Sequence, residues 1–125
     1  MGGVFLKERA KEFCEEAKEA YKRKRYNLVL FFVEQTLQLY IKYLIFKKID
    51  DYPKTHSLEV LFSELEKVYG AKVKKFTEKY GNLLKLIELS YIGARYLPVS
   101  FSEENAKESL NLVKVFLKFA DEIEK

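Results

Sequence analysis

Between Tyr26 and Lys47 two apolar stripes run side by side. Leu30, Val33, Leu37, Tyr40 and Leu44 recur at alternating three- and four-residue spacing, and Val29, Phe32, Thr36, Leu39, Tyr43 and Phe46 follow the same rhythm. Residues three and four apart share a face only in an α-helix. Two adjacent stripes make that helix apolar over most of its circumference, so it must be covered on two sides. The rest of the chain is expected to pack around it.

The remaining segments supply the partners. A first helix is predicted from Val4 to Lys22, with Leu6, Ala10, Phe13, Ala17 and Ala20 as its stripe. After Pro53, Leu58, Leu61, Leu65 and Val68 mark a helix capped by Thr55 or Ser57 and closed near Gly70. Val73, Phe76 and Tyr80 keep helical spacing in a short basic piece that is expected to stop at Gly81-Asn82. Leu83, Leu84, Ile87, Tyr91 and Ala94 then outline a further helix ending around Arg95 or Tyr96, with Pro98 as its limit. Ser102 before Glu103-Glu104 caps a last helix with Ala106, Leu110, Val113, Leu117 and Ala120 on its core stripe. No Val/Ile/Thr-rich alternating run bounded by turn residues argues for a sheet. Long helices and short connections favour antiparallel neighbours. The expected fold is all-α: an antiparallel up-and-down four-helix bundle with an additional short helix, in a single domain over residues 1–125.

Composition narrows the chemistry. With 48% hydrophobic residues in 125, one core can be filled and a second domain is not expected. The single cysteine, Cys14, excludes an intramolecular disulfide and a cysteine-based zinc cluster, and it reads as a small buried hydrophobe. A di-metal site in a bundle needs repeated Glu-x-x-His, whereas His56 is the only histidine. No cofactor is expected. The chain opens without a basic, apolar leader, so a cytoplasmic location is expected. Lys22 to Arg25, then Glu34, Gln35 and Gln38, are expected to interrupt any run of the roughly 20 apolar residues that spans a bilayer, and no membrane contact is predicted. Scarce Cys and Met beside abundant Lys, Glu and Tyr hint at a heat-loving source. Lys and Arg outnumber Asp and Glu by 23 to 19, a net charge of +4. Much of the positive charge sits in Lys22-Arg23-Lys24-Arg25 and in Lys72, Lys74, Lys75 and Lys79, runs that serve as solvated helix ends or as phosphate contacts.

Two short strings are more specific. Tyr91-Ile92-Gly93-Ala94-Arg95-Tyr96-Leu97-Pro98 places one arginine among aromatics where a helical pattern ends, and Thr55-His56-Ser57-Leu58 carries the lone histidine. With Glu34-Gln35 and Lys42 between them, these strings resemble the HEPN family over most of the chain. The family consists of small helical proteins that often accompany minimal nucleotidyltransferases. Gln35, Gln38 and Lys42 match the family run Gln-x-x-Glu-x-x-x-Lys, with glutamine in place of the glutamate.

The resemblance also implies an activity, and here the chain departs from it. Many HEPN proteins are metal-independent ribonucleases using an arginine and a histidine separated by four to six residues. Counted from Arg95, that histidine would stand at one of three positions that hold Ser100, Phe101 and Ser102. A serine hydroxyl does not titrate near neutrality and cannot replace imidazole as general acid or base.

Arg95 reads as the phosphate-binding fork of a ligand site or as an ion pair with Glu34. His56, expected in the first turn of its helix, reads as a structural cap residue or as a catalyst brought to Arg95 by the fold or by a dimer axis. Glu34, Gln38 and Lys42, four apart, form a polar strip that must face water or a polar pocket. The second apolar face of the central helix, with Phe116 and Phe119 on the last one, predicts a homodimer.

The leading expectation is a homodimeric HEPN protein that binds rather than cuts. Its partner would be a minimal nucleotidyltransferase in a toxin and antitoxin-like two-gene system, with nucleotide or RNA held where Arg95, Tyr96 and His56 share a cleft, and with Glu34 and Lys42 as further candidates. The alternatives are a ribonuclease with a non-standard site and a purely structural helical module.

Overall fold

The computed structural model describes residues 3–125, apart from the side chains of Ala94 and Arg95. Five helices follow one another: α1 (Val4–Lys22), α2 (Tyr26–Ile49), α3 (Leu58–Tyr69), α4 (Ala71–Tyr96) and α5 (Glu103–Glu124). Among the described residues there is no strand, and the fold is an all-α bundle.

Local chemistry sets most of the boundaries. α1 turns into α2 through Lys24 in the left-handed region (φ 60°), while the Arg23, Lys24 and Arg25 amides close on the last carbonyls of α1. α2 ends at Asp50, also left-handed at φ 61°. Ser57 caps α3, its hydroxyl accepting from the Val60 amide at 3.2 Å. Gly70 (φ 91°, ψ −161°) then turns the chain straight into α4, a conformation that a side chain would strain. At the start of α5, Ser102 and Asn105 exchange side-chain and backbone hydrogen bonds as a capping box.

α2 lies at the centre and touches each of the other four helices. Leu30, Val33, Leu37, Ile41 and Leu44 have no exposed surface. Of its second stripe Val29, Thr36 and Tyr43 are buried and Phe32, Leu39 and Phe46 partly buried. Phe116 of α5 is fully buried, its ring edge-on to Tyr40 and Phe62. Phe119 stacks on Phe76 with 4.7 Å between centroids. Most of the apolar surface expected to form a dimer contact is packed within one chain, with Phe32, Leu39, Phe46 and Phe119 left partly exposed.

Two expectations are corrected. α4 runs unbroken through Gly81-Asn82 instead of ending there. Val73, Phe76, Leu84 and Ile87 stay in helical phase across the glycine and are all buried, which outweighs the roughly 1 kcal/mol that an interior glycine costs a helix. α2, despite its polar residues, is long and apolar enough by length and composition to cross a membrane, although 67% of that stretch is buried inside the bundle. That burial makes it the core helix around which the others pack.

Candidate functional site

The polar strip on α2 faces inward. Glu34 is completely buried, Gln38 is 4% exposed and Lys42 9%. Both Glu34 oxygens accept side-chain amides, from Gln35 Nε2 at 2.8 Å and from Gln38 Nε2 in a short contact. Burial drives the carboxyl up to about 7, against the lowering effect of those two amides; Glu88 adds to the rise and Lys42 opposes it. Burial is also the main cause that lowers Lys42, aided by Lys54 and resisted by Glu34.

From Gln38 the network leaves the helix. Since the Gln38 amide nitrogen donates to Glu34, its oxygen faces His56 Nδ1, 3.4 Å away. That polarity makes Nδ1 the donor. His56 stands one residue before the Ser57 cap, not in the first helical turn as expected, and its ring remains exposed. It stacks on Tyr91 of α4 (5.3 Å, 23°), whose ring in turn lies 6.4 Å from Phe31 of α2. The connection before α3, the middle of α2 and the last two turns of α4 therefore meet at one place.

Two participants were not anticipated. Tyr52, in the α2–α3 connection, lies between cations: Lys54 Nζ is 3.5 Å from its ring centroid and Lys42 Nζ 5.8 Å. Its neighbour Pro53 was the only signal there, and it spoke for a turn. Glu88 of α4 accepts from the Glu59 amide at 3.3 Å, in the first turn of α3, where a carboxylate is favoured by the unpaired amides.

Of the sequence candidates, Glu34 and Lys42 lie on the buried strip and His56 joins it through Gln38. Tyr96, in the last turn of α4, is 71% exposed. The Arg95 side chain lies outside the described residues; position 95 is one turn beyond Tyr91 on α4. The three positions where the family's histidine would fall are occupied by structural residues or by an exposed loop. Ser100 is exposed. Phe101 is buried, its amide donating to Asn27 Oδ1 at 2.7 Å while Asn27 Nδ2 donates to the Val99 carbonyl at 3.0 Å. Ser102 spends its hydroxyl on the Asn105 amide at 3.0 Å. Among the described residues no three His, Cys, Asp or Glu side chains gather as a metal-binding group.

No curated protein and no solved structure matches the chain. The family model of the HEPN domain matches residues 4–123. That span runs from the first residue of α1 to the last turn of α5, with the Gln35, Gln38 and Lys42 run and the histidine and arginine strings inside it, and the chain belongs to the HEPN family.

Proposed function

We propose that this HEPN protein acts by binding: a homodimer that associates with a minimal nucleotidyltransferase in a toxin and antitoxin-like pair and holds nucleotide or RNA beside Arg95. The observation that carries a binding role over catalysis is the use made of the positions after Arg95. Phe101 is a core plug and Ser102 a helix cap, so neither presents a titrating group to a scissile phosphate. His56 is engaged by Gln38 and stacked on Tyr91, which suits a residue that shapes a ligand-facing surface around the end of α4.

A different surface from the one expected of the sequence supports self-association. Leu89, Ile92 and Tyr96 form one exposed stripe on the last turns of α4, with Leu97 just beyond and Leu28 exposed on the first turn of α2. A second copy placing the same stripe against it would remove this apolar surface from water and bring two arginine strings together.

The reading is tested by titrating nucleotides and short RNAs against the wild type, Arg95→Ala and a variant with Lys22 to Arg25 neutralised, each first confirmed as folded. Arg95→Ala is expected to lose at least tenfold in affinity and the basic-run variant much less. Undiminished binding by Arg95→Ala would refute the anchor. Metal-free RNA cleavage by the wild type that is abolished in His56→Ala would instead establish the ribonuclease reading.

A further inference from the structure

On the side of the bundle formed by the first half of α4 and the second half of α5, a groove of about 310 Å³ is lined by four lysines: Lys72, Lys75, Lys79 and Lys118. Glu122 is its one acidic wall residue. The groove therefore carries +3 of the chain's net charge of +4. Four lysines elsewhere, Lys18, Lys22, Lys47 and Lys67, pair with glutamates. Among the described residues none of the four groove lysines forms such a pair, although Lys79 Nζ lies 5.5 Å from the Tyr80 ring centroid. Concentrated, unpaired and concave positive charge raises the local concentration of anions and strengthens their capture.

The floor is aromatic. Phe76 is stacked on Phe119 and lies 4.8 Å from Tyr80, and the last two rings are only partly buried. Lys72, Lys75 and Lys79 follow one another at three- and four-residue spacing along α4 and so share a face. They extend over about 10 Å at 1.5 Å per residue, with Lys118 facing them from α5. Such a row meets consecutive phosphates of one strand, while the partly exposed Tyr80 and Phe119 rings at its base offer apolar surface to bases.

We propose that this α4–α5 groove is a binding track for single-stranded nucleic acid, separate from the Arg95 region and independent of the role assigned there. The lysines hold phosphates, and Tyr80 and Phe119 take the bases. A free polyphosphate or a lipid headgroup would use the lysines alone.

The test is fluorescence anisotropy with a labelled 12-nucleotide oligouridylate over a range of salt concentrations. The variants are Lys→Gln at 72, 75, 79 and 118 together, Tyr80→Leu with Phe119→Leu, and Lys→Gln and Arg→Gln across residues 22–25. The lysine variant keeps helix-favouring side chains at positions outside the core, so it should fold as the wild type does. It is expected to bind at least tenfold more weakly, with a log–log salt slope shallower by about 2 to 3, given about 0.7 per phosphate contact on a single strand. The aromatic variant should lose severalfold for the oligonucleotide and nothing for inorganic tripolyphosphate, and the 22–25 variant should stay within about twofold of the wild type. An unchanged affinity and slope in the lysine variant would overturn the proposal. So would equal loss of oligonucleotide and tripolyphosphate binding in the lysine variant with no effect of the aromatic changes, which would make the groove a free-phosphate site. Lysine-dependent binding to phosphatidylglycerol vesicles without binding to the oligonucleotide would overturn it as well.

Discussion

Glu34 is the residue whose environment departs furthest from that of an ordinary surface carboxylate. Its carboxyl is raised from 4.5 to about 7, chiefly by burial. Between those two values the folded protein keeps a proton that the unfolded chain releases, so this group's contribution is best at low pH and is lost as pH rises towards 7. The loss amounts to roughly 3 kcal/mol, since every tenfold difference in proton affinity between the folded and unfolded chain corresponds to about 1.4 kcal/mol. Urea denaturation of the wild type is accordingly expected to give a midpoint that falls from about pH 5 to about pH 7, and Glu34→Gln should flatten that fall. A variant with the same pH profile as the wild type would detach Glu34 from it. The positions after Arg95 make a second test at this scale. Ser100→His is expected to leave stability within about 0.5 kcal/mol, because the site is exposed. Phe101→His should cost about 3 kcal/mol, because a packed ring is replaced by a smaller polar one. Equal stabilities for the two variants would mean that Phe101 is not part of the core.

Among the elements, α2 was legible from its two stripes and α3 and α5 from their caps, because Ser57 and Ser102 act within one turn of themselves. Leu37→Asp should unfold the protein, since an unpaired charge at a fully buried position costs several kcal/mol, comparable to the stability of a small domain. A soluble, cooperatively folding variant would remove α2 from the core. Gly81 misled in the other direction. It reads as a helix stop, yet α4 continues through it because the buried side chains on both sides of the glycine share one phase. A methyl group added there would meet no atom within 4 Å. Gly81→Ala should therefore stabilise the protein by roughly 0.5–1 kcal/mol, by lowering the entropy lost on folding; a lower denaturation midpoint would contradict the continuous helix.

At the level of the whole molecule, self-association is expected through the end of α4 rather than through α2. α2 spends most of both apolar faces inside one chain, Phe116 is edge-on to Tyr40 and Phe62, and Phe119, partly exposed, stacks on Phe76. The exposed stripe of Leu89, Ile92 and Tyr96 is the surface proposed for a second copy. Sedimentation at micromolar concentration is expected to show a dimer for the wild type and a monomer for Leu89→Lys with Ile92→Lys. A wild-type monomer would refute the dimer, and an unaffected dimer in the double variant would move the interface elsewhere.

The helical class, the central helix and the HEPN resemblance could be read directly, because periodicity, caps and short strings are properties of neighbouring residues. The buried state of Glu34, its link through Gln38 and His56 to Tyr91, the place of Tyr52 between two lysines, and the opposition of Lys118 to Lys72, Lys75 and Lys79 could not. Each depends on residues far apart in the chain whose meeting is set by how the helices pack. A polar strip such as Glu34, Gln38 and Lys42 reads the same way whether it faces water or a neighbouring helix, and only the packing of α3 and α4 against α2 turned it inward.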